Sequence, residues 1–247
     1  MNNLAIFAFM KLDILAVGVH PDDVELAAAG TIMKHIDLGY KVGILDLTEG
    51  QLGSRGSGDI RLQEARDAGE VMGLDVRVNL GMDDGWFRND KESKLAIIRQ
   101  LRHFKPDIVL CNAIRDRHPD HGRASNLVSE ACFYSGLVKI ETEWEGSVQE
   151  QWRPKAVYHY IQDREIKPDF VVDISKYIDR KIEAIMCFKT QFYNPDSKEP
   201  NTPISSKAFL DLVSAKGRIY GRDISTDYAE AFTIERNMGI EDLTKLI

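Results

Sequence analysis

The sequence predicts an α/β fold: a Rossmann-like, three-layer arrangement with a mostly parallel sheet and a functional site at the carboxyl ends of the strands. Short aliphatic stretches at residues 12–19, 41–47, 76–80 and 107–112 have the composition of buried strands. They alternate with residues 23–38, 59–72 and 91–104, whose apolar positions recur at helical spacing. This alternation is typical of a parallel sheet covered by helices.

Turn-forming residues support the boundaries of these elements. Gly39 and Gly73 follow the first two predicted helices, at the positions where helix C-caps are expected. Pro106 precedes the fourth predicted strand, where its missing N–H does not interrupt strand pairing.

The second half of the chain is less regular. We predict strands at residues 156–161, 170–173 and 231–234, helices at residues 176–192 and 208–220, and a long loop at residues 193–203, which contains three prolines. No repeat or second apolar core is evident, so a single domain over residues 1–247 is expected. Residues 1–10 are interpreted as a disordered or non-native extension, with Met10 as an alternative start.

Composition excludes several classes of protein. The formal charge of -7 argues against a nucleic-acid surface, which would need clustered positive charge. No apolar run approaches the ~20 residues of a membrane helix, and residues 4–10 lack the flanking pattern of a signal peptide. The three cysteines form no CxxC pair, which favours reduced thiols and a cytoplasmic location.

Four predicted strand-end loops carry the polar residues of interest. His20-Pro21-Asp22-Asp23 follows the first strand and Thr48-Glu49-Gly50 the second, whereas residues 81–87 and 117–121 follow the third and fourth. Open α/β sheets place their sites outside the carboxyl ends of the strands, so these loops are expected to converge on one rim.

Two of these loops contain similar motifs, His20-Pro21-Asp22-Asp23 and His118-Pro119-Asp120-His121. A catalytic zinc usually takes three nitrogen or oxygen ligands and leaves one position for water. We expect His20, Asp23 and His121 to supply those ligands, and Asp22 to act as a base for the water. The competing interpretation is that Asp22 or Asp120 merely caps the following helix, a role that is worth ~1 kcal/mol.

Motifs of other functional classes are missing from the sequence. The first strand is not followed by Gly-x-Gly-x-x-Gly, which disfavours a nucleotide-binding module, and no Gly-x-Ser-x-Gly elbow of a serine hydrolase is present. Residues 53–58 lack the Gly-Lys-Ser/Thr ending of a phosphate loop. A non-catalytic metal-binding or scaffold protein stays open as an alternative.

The sequence resembles the LmbE-like or PIG-L zinc deacetylases, which remove acetyl groups from N-acetylglucosamine conjugates. The resemblance rests on residues 16–25 and 116–121, and it continues through residues 48–50, 61–65, 79–85, 105–107 and 228–232. The general layout, with Lys189-Thr190-Gln191-Phe192 and the late Tyr-Ala-Glu segment, looks most like bacillithiol biosynthesis deacetylases. Their substrate is N-acetylglucosaminyl-malate; another glycoconjugate or a chitin fragment is the alternative.

The resemblance also implies roles for individual residues. Asp22 would act as general base and then acid, while a protonated His118, oriented by Asp120, would sit beside the oxyanion. Substrate-binding roles fall on Arg61, Asp84 and Arg153. We add Arg55, in a pocket lip at residues 53–58 that we interpret as mobile. The metal would be zinc, although two histidines and an aspartate also suit Fe(II).

Several of these assignments have simpler alternatives. Arg61 and Glu64 lie one helical turn apart and could form an exposed ion pair, and Asp84 could only shape a turn before Gly85. Some family members use a tyrosine as oxyanion donor where this chain has Phe209, a role that Tyr193 could take. The other histidines, His35, His103 and His159, are interpreted as surface or packing residues. A trimer or hexamer is expected from the resemblance alone.

Overall fold

A seven-stranded sheet forms the centre of the fold in the computed structural model, which describes residues 10–247. In chain order the sheet strands are β1 (Ile14–Gly18), β2 (Val42–Thr48), β3 (Val76–Met82), β4 (Ile108–Cys111), β7 (Ala156–Tyr160), β8 (Phe170–Asp173) and β9 (Ala229–Ile234), and a separate hairpin contains β5 (Glu143–Trp144) and β6 (Ser147–Val148). Their spatial order is β3-β2-β1-β4-β7-β9-β8. The first five are parallel, whereas β9 runs antiparallel to both β7 and β8.

Helices cover both faces of this sheet. They are α1 (Asp23–Asp37), α2 (Gly58–Met72), α3 (Lys91–Phe104), α4 (Pro119–Ser135), α5 (Ile178–Met186) and α6 (Lys207–Asp223), followed by a short 3-10 helix (Leu243–Lys245). Alternate side chains of β1 enter different layers, because successive residues of a strand point to opposite faces. Leu15 and Val17 pack with α3 and α4, whereas Ile14 and Ala16 pack with α1. The predicted three-layer α/β class is confirmed.

The predicted helix at residues 176–192 is shorter in the structure, where it spans Ile178–Met186. The chain leaves the helix because Glu64 of α2 accepts hydrogen bonds from both the amide and the hydroxyl of Thr190. Phe188 and Phe192 then pack against α2 in a third apolar cluster. In the sequence, the helical spacing of apolar residues extends beyond Met186 because Phe188 and Phe192 are also buried, although the chain there forms turns.

The β5–β6 hairpin was not predicted. Its turn places Glu145 at φ 50° and Gly146 at φ 78°. The strands have only two residues each, too short to show an alternating pattern.

Other features bear on the sequence expectations. The expected single domain over residues 1–247 stays a prediction, and the expected extension at residues 1–10 lies outside the described residues except for Met10. Within residues 10–247, no helix is both long and apolar enough to cross a membrane. The three cysteines are free thiols, two of them buried.

Candidate active site

The two histidine motifs meet because β1 and β4 are neighbours in the sheet. The chain leaves β1 toward β2 on one side, and it leaves β4 toward β7 on the other. The loops after β1 and β4 therefore diverge around a crevice, the position where open α/β sheets bind ligands. A cavity of about 320 Å³ lies there, and its lining includes His20, Asp22, Asp23, His118 and His121.

His121 is held by a carboxylate that the sequence interpretation did not assign. Its Nδ1 lies 2.6 Å from Asp116 Oδ2, and its Nε2 lies 3.1 Å from Asp23 Oδ1. Because Nδ1–H is directed to Asp116, Nε2 is the nitrogen left to ligate a metal. A carboxylate behind a histidine is a common way to orient a metal ligand.

Asp23 is oriented by an unusually complete set of hydrogen bonds. Its Oδ2 accepts from the backbone amides of Val19 and His20 and from Asn112 Nδ2, and its Oδ1 accepts from Gln162 Nε2. Burial raises the pKa of Asp23, but the positive charge of His121 and His20 outweighs burial and holds the pKa well below its usual range. Asp23 is therefore a carboxylate held in a fixed orientation and in its ionised form.

His20 faces three carboxylates. Its Nδ1 lies 3.7 Å from Asp23 Oδ2, and its Nε2 lies 3.0 Å from Asp84 Oδ1 and 3.8 Å from Asp120 Oδ2. Burial lowers the pKa of His20, but its hydrogen bonds to Asp120 and Asp84 and the charge of Asp23 raise the pKa to about 9. Carboxylates that favour a protonated His20 would also favour a metal cation at this position, and the metal would replace the proton on the imidazole.

The donor set fits a divalent metal. Ligands of one tetrahedral ion at ~2.1 Å lie about 3.4 Å apart; His121 Nε2 lies 3.1 Å from Asp23 Oδ1, and His20 Nδ1 lies 3.7 Å from the other oxygen, Asp23 Oδ2. The ring centroids of His20 and His121 are 5.8 Å apart. Among the described residues, the combinations whose ligand atoms all lie within 4.8 Å of one another are His20-His118-His121 and His20-Asp84-Asp120, and the expected set His20-Asp23-His121 is not one of them. His20 belongs to every combination.

Asp22 does not cap α1, although it precedes the helix. It makes no side-chain cap hydrogen bond and has φ 133° and ψ -22°, a conformation that costs a non-glycine residue on the order of 1–3 kcal/mol. Its Oδ2 instead accepts a hydrogen bond from Arg61 Nη2 at 2.9 Å. Burial raises the pKa of Asp22 to about 7, although the Arg61 guanidinium opposes that shift. A strained, buried carboxylate of this pKa is suited to proton transfer.

The relation between His118 and Asp120 differs from the expected one. His118 Nδ1 accepts a hydrogen bond from the backbone N–H of Asp120 at 3.3 Å, while the Asp120 carboxylate accepts from Arg123 Nη1 and from the amide of Gly85. The side chain of Asp120 is thus directed away from the His118 Nδ1. Burial and the charges of His20 and His121 lower the pKa of His118. Because Nδ1 can accept that hydrogen bond only when it carries no proton, the geometry favours a neutral ring with its proton on Nε2 over the expected imidazolium.

Two of the four expected substrate-binding residues line the cavity. Arg61 contacts Asp22, and Glu64 binds Thr190 instead of forming the alternative ion pair with Arg61. Asp84 also does more than shape a turn, because its Oδ2 accepts from the amide of Leu52 while its Oδ1 faces His20.

Arg55 and Arg153 are not brought to the cavity lining. Arg55 is 5% exposed and donates to the carbonyls of Gln191 and Phe192 and to Ser197 Oγ, so it anchors the loop after α5. Arg153 donates to the carbonyl of Phe133 and lies over its ring, 4.3 Å from the centroid. Both guanidinium groups are engaged by the chain's own carbonyl groups.

The lining of the cavity distinguishes Phe209 from Tyr193, the residue suggested as an oxyanion donor in its place. Phe209 lines it and stacks on Phe192, with centroids 6.1 Å apart. Tyr193 is 36% exposed and is not among the lining residues, whereas Tyr220 on α6 is. Among the other histidines, His103 stacks on Trp144, whereas His159 is buried beside Cys111.

Sequence reasoning missed the residues that support the ligands. Asp116 stands two residues before the second motif, and its place five residues before His121 was the available signal. Asn112 directly follows β4, at the rim where sites are expected. No comparable signal pointed to Gln162, because its contact with Asp23 spans 139 positions.

Comparison with known proteins shows the family to which the chain belongs. Residues 15–132 match the family model described as PIG-L: GlcNAc-PI de-N-acetylase. A probable N-acetyl-alpha-D-glucosaminyl L-malate deacetylase 2 from Bacillus cereus is 31% identical over 206 residues, 74% of this chain and 84% of the relative. The chain belongs to the PIG-L family. It is therefore an enzyme of the N-deacetylase type.

Other relatives differ in their named reactions. Diacetylchitobiose deacetylase from Thermococcus kodakarensis is 29% identical, covering 72% of this chain and 70% of that protein. A 4-oxalmesaconate hydratase from Pseudomonas putida is 24% identical, covering 86% and 88%.

Among solved structures, a conserved protein from Thermus thermophilus has a TM-score of 0.82 at 33% identity, covering 93% of this chain and 98% of that one. The diacetylchitobiose deacetylase of Pyrococcus horikoshii shares the fold, with a TM-score of 0.74 at 24% identity and coverage of 90% and 82%.

Proposed function

We propose that this PIG-L family member is a zinc enzyme that hydrolyses the acetyl amide of an N-acetylglucosamine conjugate. One observation carries the proposal: Asp22, a strained carboxylate with a pKa of about 7, stands beside the cluster formed by His20, Asp23 and His121. A metal-ligand cluster with an adjacent proton-transfer group is the arrangement that amide hydrolysis requires.

His20, Asp23 and His121 would hold the metal. Imidazole and carboxylate ligands suit zinc, and also Fe(II), so the two ions are compared in the experiment below. When bound, such an ion supplies Lewis-acid chemistry, because it polarises the amide carbonyl and lowers the pKa of water.

The chain's own residues would move the protons. Asp22 accepts a proton from the attacking water as the new C–O bond forms, and it later donates that proton to the leaving nitrogen as the C–N bond breaks. The products are acetate and the amine, which becomes an ammonium group because the new carboxyl group releases the second proton of the water. The Nε2–H of neutral His118 donates a hydrogen bond to the developing oxyanion, which preorganised donors stabilise by several kcal/mol. Arg61 keeps Asp22 in place through their 2.9 Å contact.

For the substrate, we propose N-acetylglucosaminyl-malate, the conjugate named for the Bacillus relative, with a chitin fragment as the alternative. A homo-oligomer, either a trimer or a hexamer, and a cytoplasmic location are also proposed. The three free thiols support the location, because a reducing compartment keeps cysteines in that state.

The experiment measures acetate release from the malate conjugate, diacetylchitobiose and free N-acetylglucosamine after removal of metal and re-addition of Zn²⁺ or Fe(II). The Asp22→Asn variant should lose at least ~10²-fold in kcat while keeping its metal content by elemental analysis. Asp211→Asn, a matched change at an exposed position of α6, should behave as the wild type. Undiminished turnover in Asp22→Asn would disprove the base assignment.

Hydration of a carboxylated alkene is the second candidate. It is favoured by the similarity to the hydratase, which covers most of both chains. An activated water and a proton donor serve either reaction. The two are separated by assaying the same preparation for acetate release and for loss of the absorbance of a conjugated alkene. Hydration without acetate release would replace deacetylation as the proposed function.

A further inference from the structure

The lining of the cavity contains apolar side chains in addition to the catalytic cluster. We call six of these lining residues the apolar arm: Leu26, Ala27, Ile174, Ile178, Leu212 and Val213. Ala27 and Ile174 are buried, which places one side of the arm inside the fold. The arm belongs to the same cavity as Asp22, so a substituent that enters it can remain attached to the reacting amide.

Helix α6 forms one wall of the arm without closing it. Only Gly217 and Gly221 are buried among the residues of α6. Leu212 remains 43% exposed, and Phe209 and Val213 are half-buried. An amphipathic helix normally buries its apolar side against the core. Here part of that side faces the cavity, so apolar surface is left for a ligand to cover.

The polar groups beside the arm are already paired. Lys181 Nζ donates to Glu230 Oε1 at 2.6 Å, and Glu230 also accepts from the amides of Gly30 and Thr31 in α1. A sugar hydroxyl in the arm would therefore compete with existing partners for hydrogen bonds. Burial of an unsatisfied hydroxyl is unfavourable, so this environment suits an alkyl or aromatic group better than a sugar ring.

The cations near the cavity are engaged as well. Arg61 binds Asp22, and Arg117 binds Asp163 at 2.5 Å. Lys216 donates to the backbone carbonyls of Gln162 and Asp163. None of these three cations belongs to the apolar arm, so the carboxylates of the malate conjugate gain no ionic attraction in the arm and would lie elsewhere in the cavity.

We infer that the apolar arm binds an apolar substituent of the amide substrate. The inference rests on the proposed deacylase function and adds a substrate class to it. The substituent is either an N-acyl chain longer than acetyl or an apolar aglycone, since both attach to the same aminosugar. Binding in the arm removes the substituent from water, and this favours each added methylene by about fourfold in affinity.

Two series of substrates distinguish the sources. The first varies the acyl group of an N-acylglucosamine from acetyl through butanoyl to hexanoyl. The second keeps the acetyl group and varies the glycoside from methyl through butyl to hexyl, with the malate conjugate alongside. We expect kcat/KM to rise by roughly fourfold per methylene in one series, and that series identifies the side of the substrate that enters the arm. A flat or falling kcat/KM in both series overturns the inference.

Variants of α6 locate the effect. Val213→Trp should fill the arm and reduce the preference for the long chain over the short one by roughly tenfold. Ile219→Trp introduces the same residue on the same helix, at a position that is 62% exposed and outside the cavity lining. The preference for the long chain should not change in this control. If Val213→Trp does not fold, Val213→Ala should still lower the preference through lost contact. An unchanged preference in a folded Val213 variant overturns the assignment to this arm.

Binding separates this inference from the proposed function. Calorimetric titration of Asp22→Asn with acetyl and hexanoyl amides measures affinity without turnover. If no amide is hydrolysed by the wild type, the deacylase proposal fails, but tighter binding of the hexanoyl amide still supports the apolar arm. If acetyl amides are hydrolysed and chain length changes neither rate nor affinity, the deacylase proposal stands and the apolar arm is refuted.

Discussion

Replacement of Glu230 by glutamine tests the buried ion pair that joins α5, β9 and α1. Glu230 is 3% exposed and Lys181 is 4% exposed, and their charged atoms lie 2.6 Å apart. Glu230 also accepts the amide protons of Gly30 and Thr31 at 3.0 and 2.7 Å. The Glu230→Gln change leaves the Lys181 charge buried without its counterion, and it places a donor NH₂ among three other donors.

The expected penalty follows from that geometry. Breaking a buried pair by removing one partner typically costs about 3–5 kcal/mol, because the remaining charge is uncompensated. The whole free energy of unfolding of a domain is only about 5–15 kcal/mol. With a urea slope of about 2–3 kcal/mol/M, the midpoint of unfolding should fall by about 1–2.5 M.

Urea unfolding followed by circular dichroism is the assay, with a double-mutant cycle. Lys181→Met together with Glu230→Gln removes both charges and should recover a large part of the loss. Glu130→Gln is the matched control: Glu130 pairs with Lys94 at 2.7 Å on the surface, where ion pairs contribute about 0–1 kcal/mol. The reasoning is refuted if Glu230→Gln costs no more than Glu130→Gln, or if the cycle is additive within about 0.5 kcal/mol.

Three further predictions concern other parts of the chain. Asp116→Asn should weaken zinc binding by about 10–100-fold in a chelator competition, because His121 loses the carboxylate at its Nδ1; unchanged affinity would contradict that role. Gly50→Ala should lower kcat/KM and destabilise the chain, since Gly50 has φ 68° and a Cβ there would lie 2.1 Å from Arg61 Nη1; wild-type kinetics would show that this contact is unimportant. Burial lowers the pKa of His159, but Cys111 and other acceptors outweigh it and raise the pKa to about 11. The stability that His159→Gln removes should be fully present below the unfolded pKa near 6.5 and should decline as the pH rises toward 11, which urea unfolding at pH 6 and pH 9.5 will show; a penalty independent of pH would exclude a charged His159.

Local sequence patterns were sufficient for the layered architecture. The helix Lys91–Phe104 and the strand Phe170–Asp173 have the predicted bounds, and most other predicted elements differ by at most three residues at either end. The larger differences are α4 (Pro119–Ser135), for which no bounds were predicted, and the helix that ends at Met186 instead of residue 192. Its end depends on Glu64, which binds Thr190 from a distance of 126 positions. A pattern confined to neighbouring residues contains no information about such a contact.

The candidate site was predicted where residue type and loop position were enough. His20, Asp22, Asp23, His118 and His121 all line one cavity, because the carboxyl ends of adjacent parallel strands are close together. Roles that depend on which hydrogen-bond partner a side chain has in the folded protein were predicted less well. Asp120 binds Arg123 rather than the His118 ring, although both candidates lie within three residues of it.

By itself the sequence determined the alternation of strands and helices and the chemistry available on two strand-end loops. Both follow from local periodicity and from residue type, which depend only on the order of residues in the sequence. Only the tertiary structure decided that Arg61 faces Asp22 while Arg55 anchors a loop 142 positions away. The physical reason is that a guanidinium group binds whichever acceptors the folded backbone brings within about 3 Å, and long-range packing selects those acceptors.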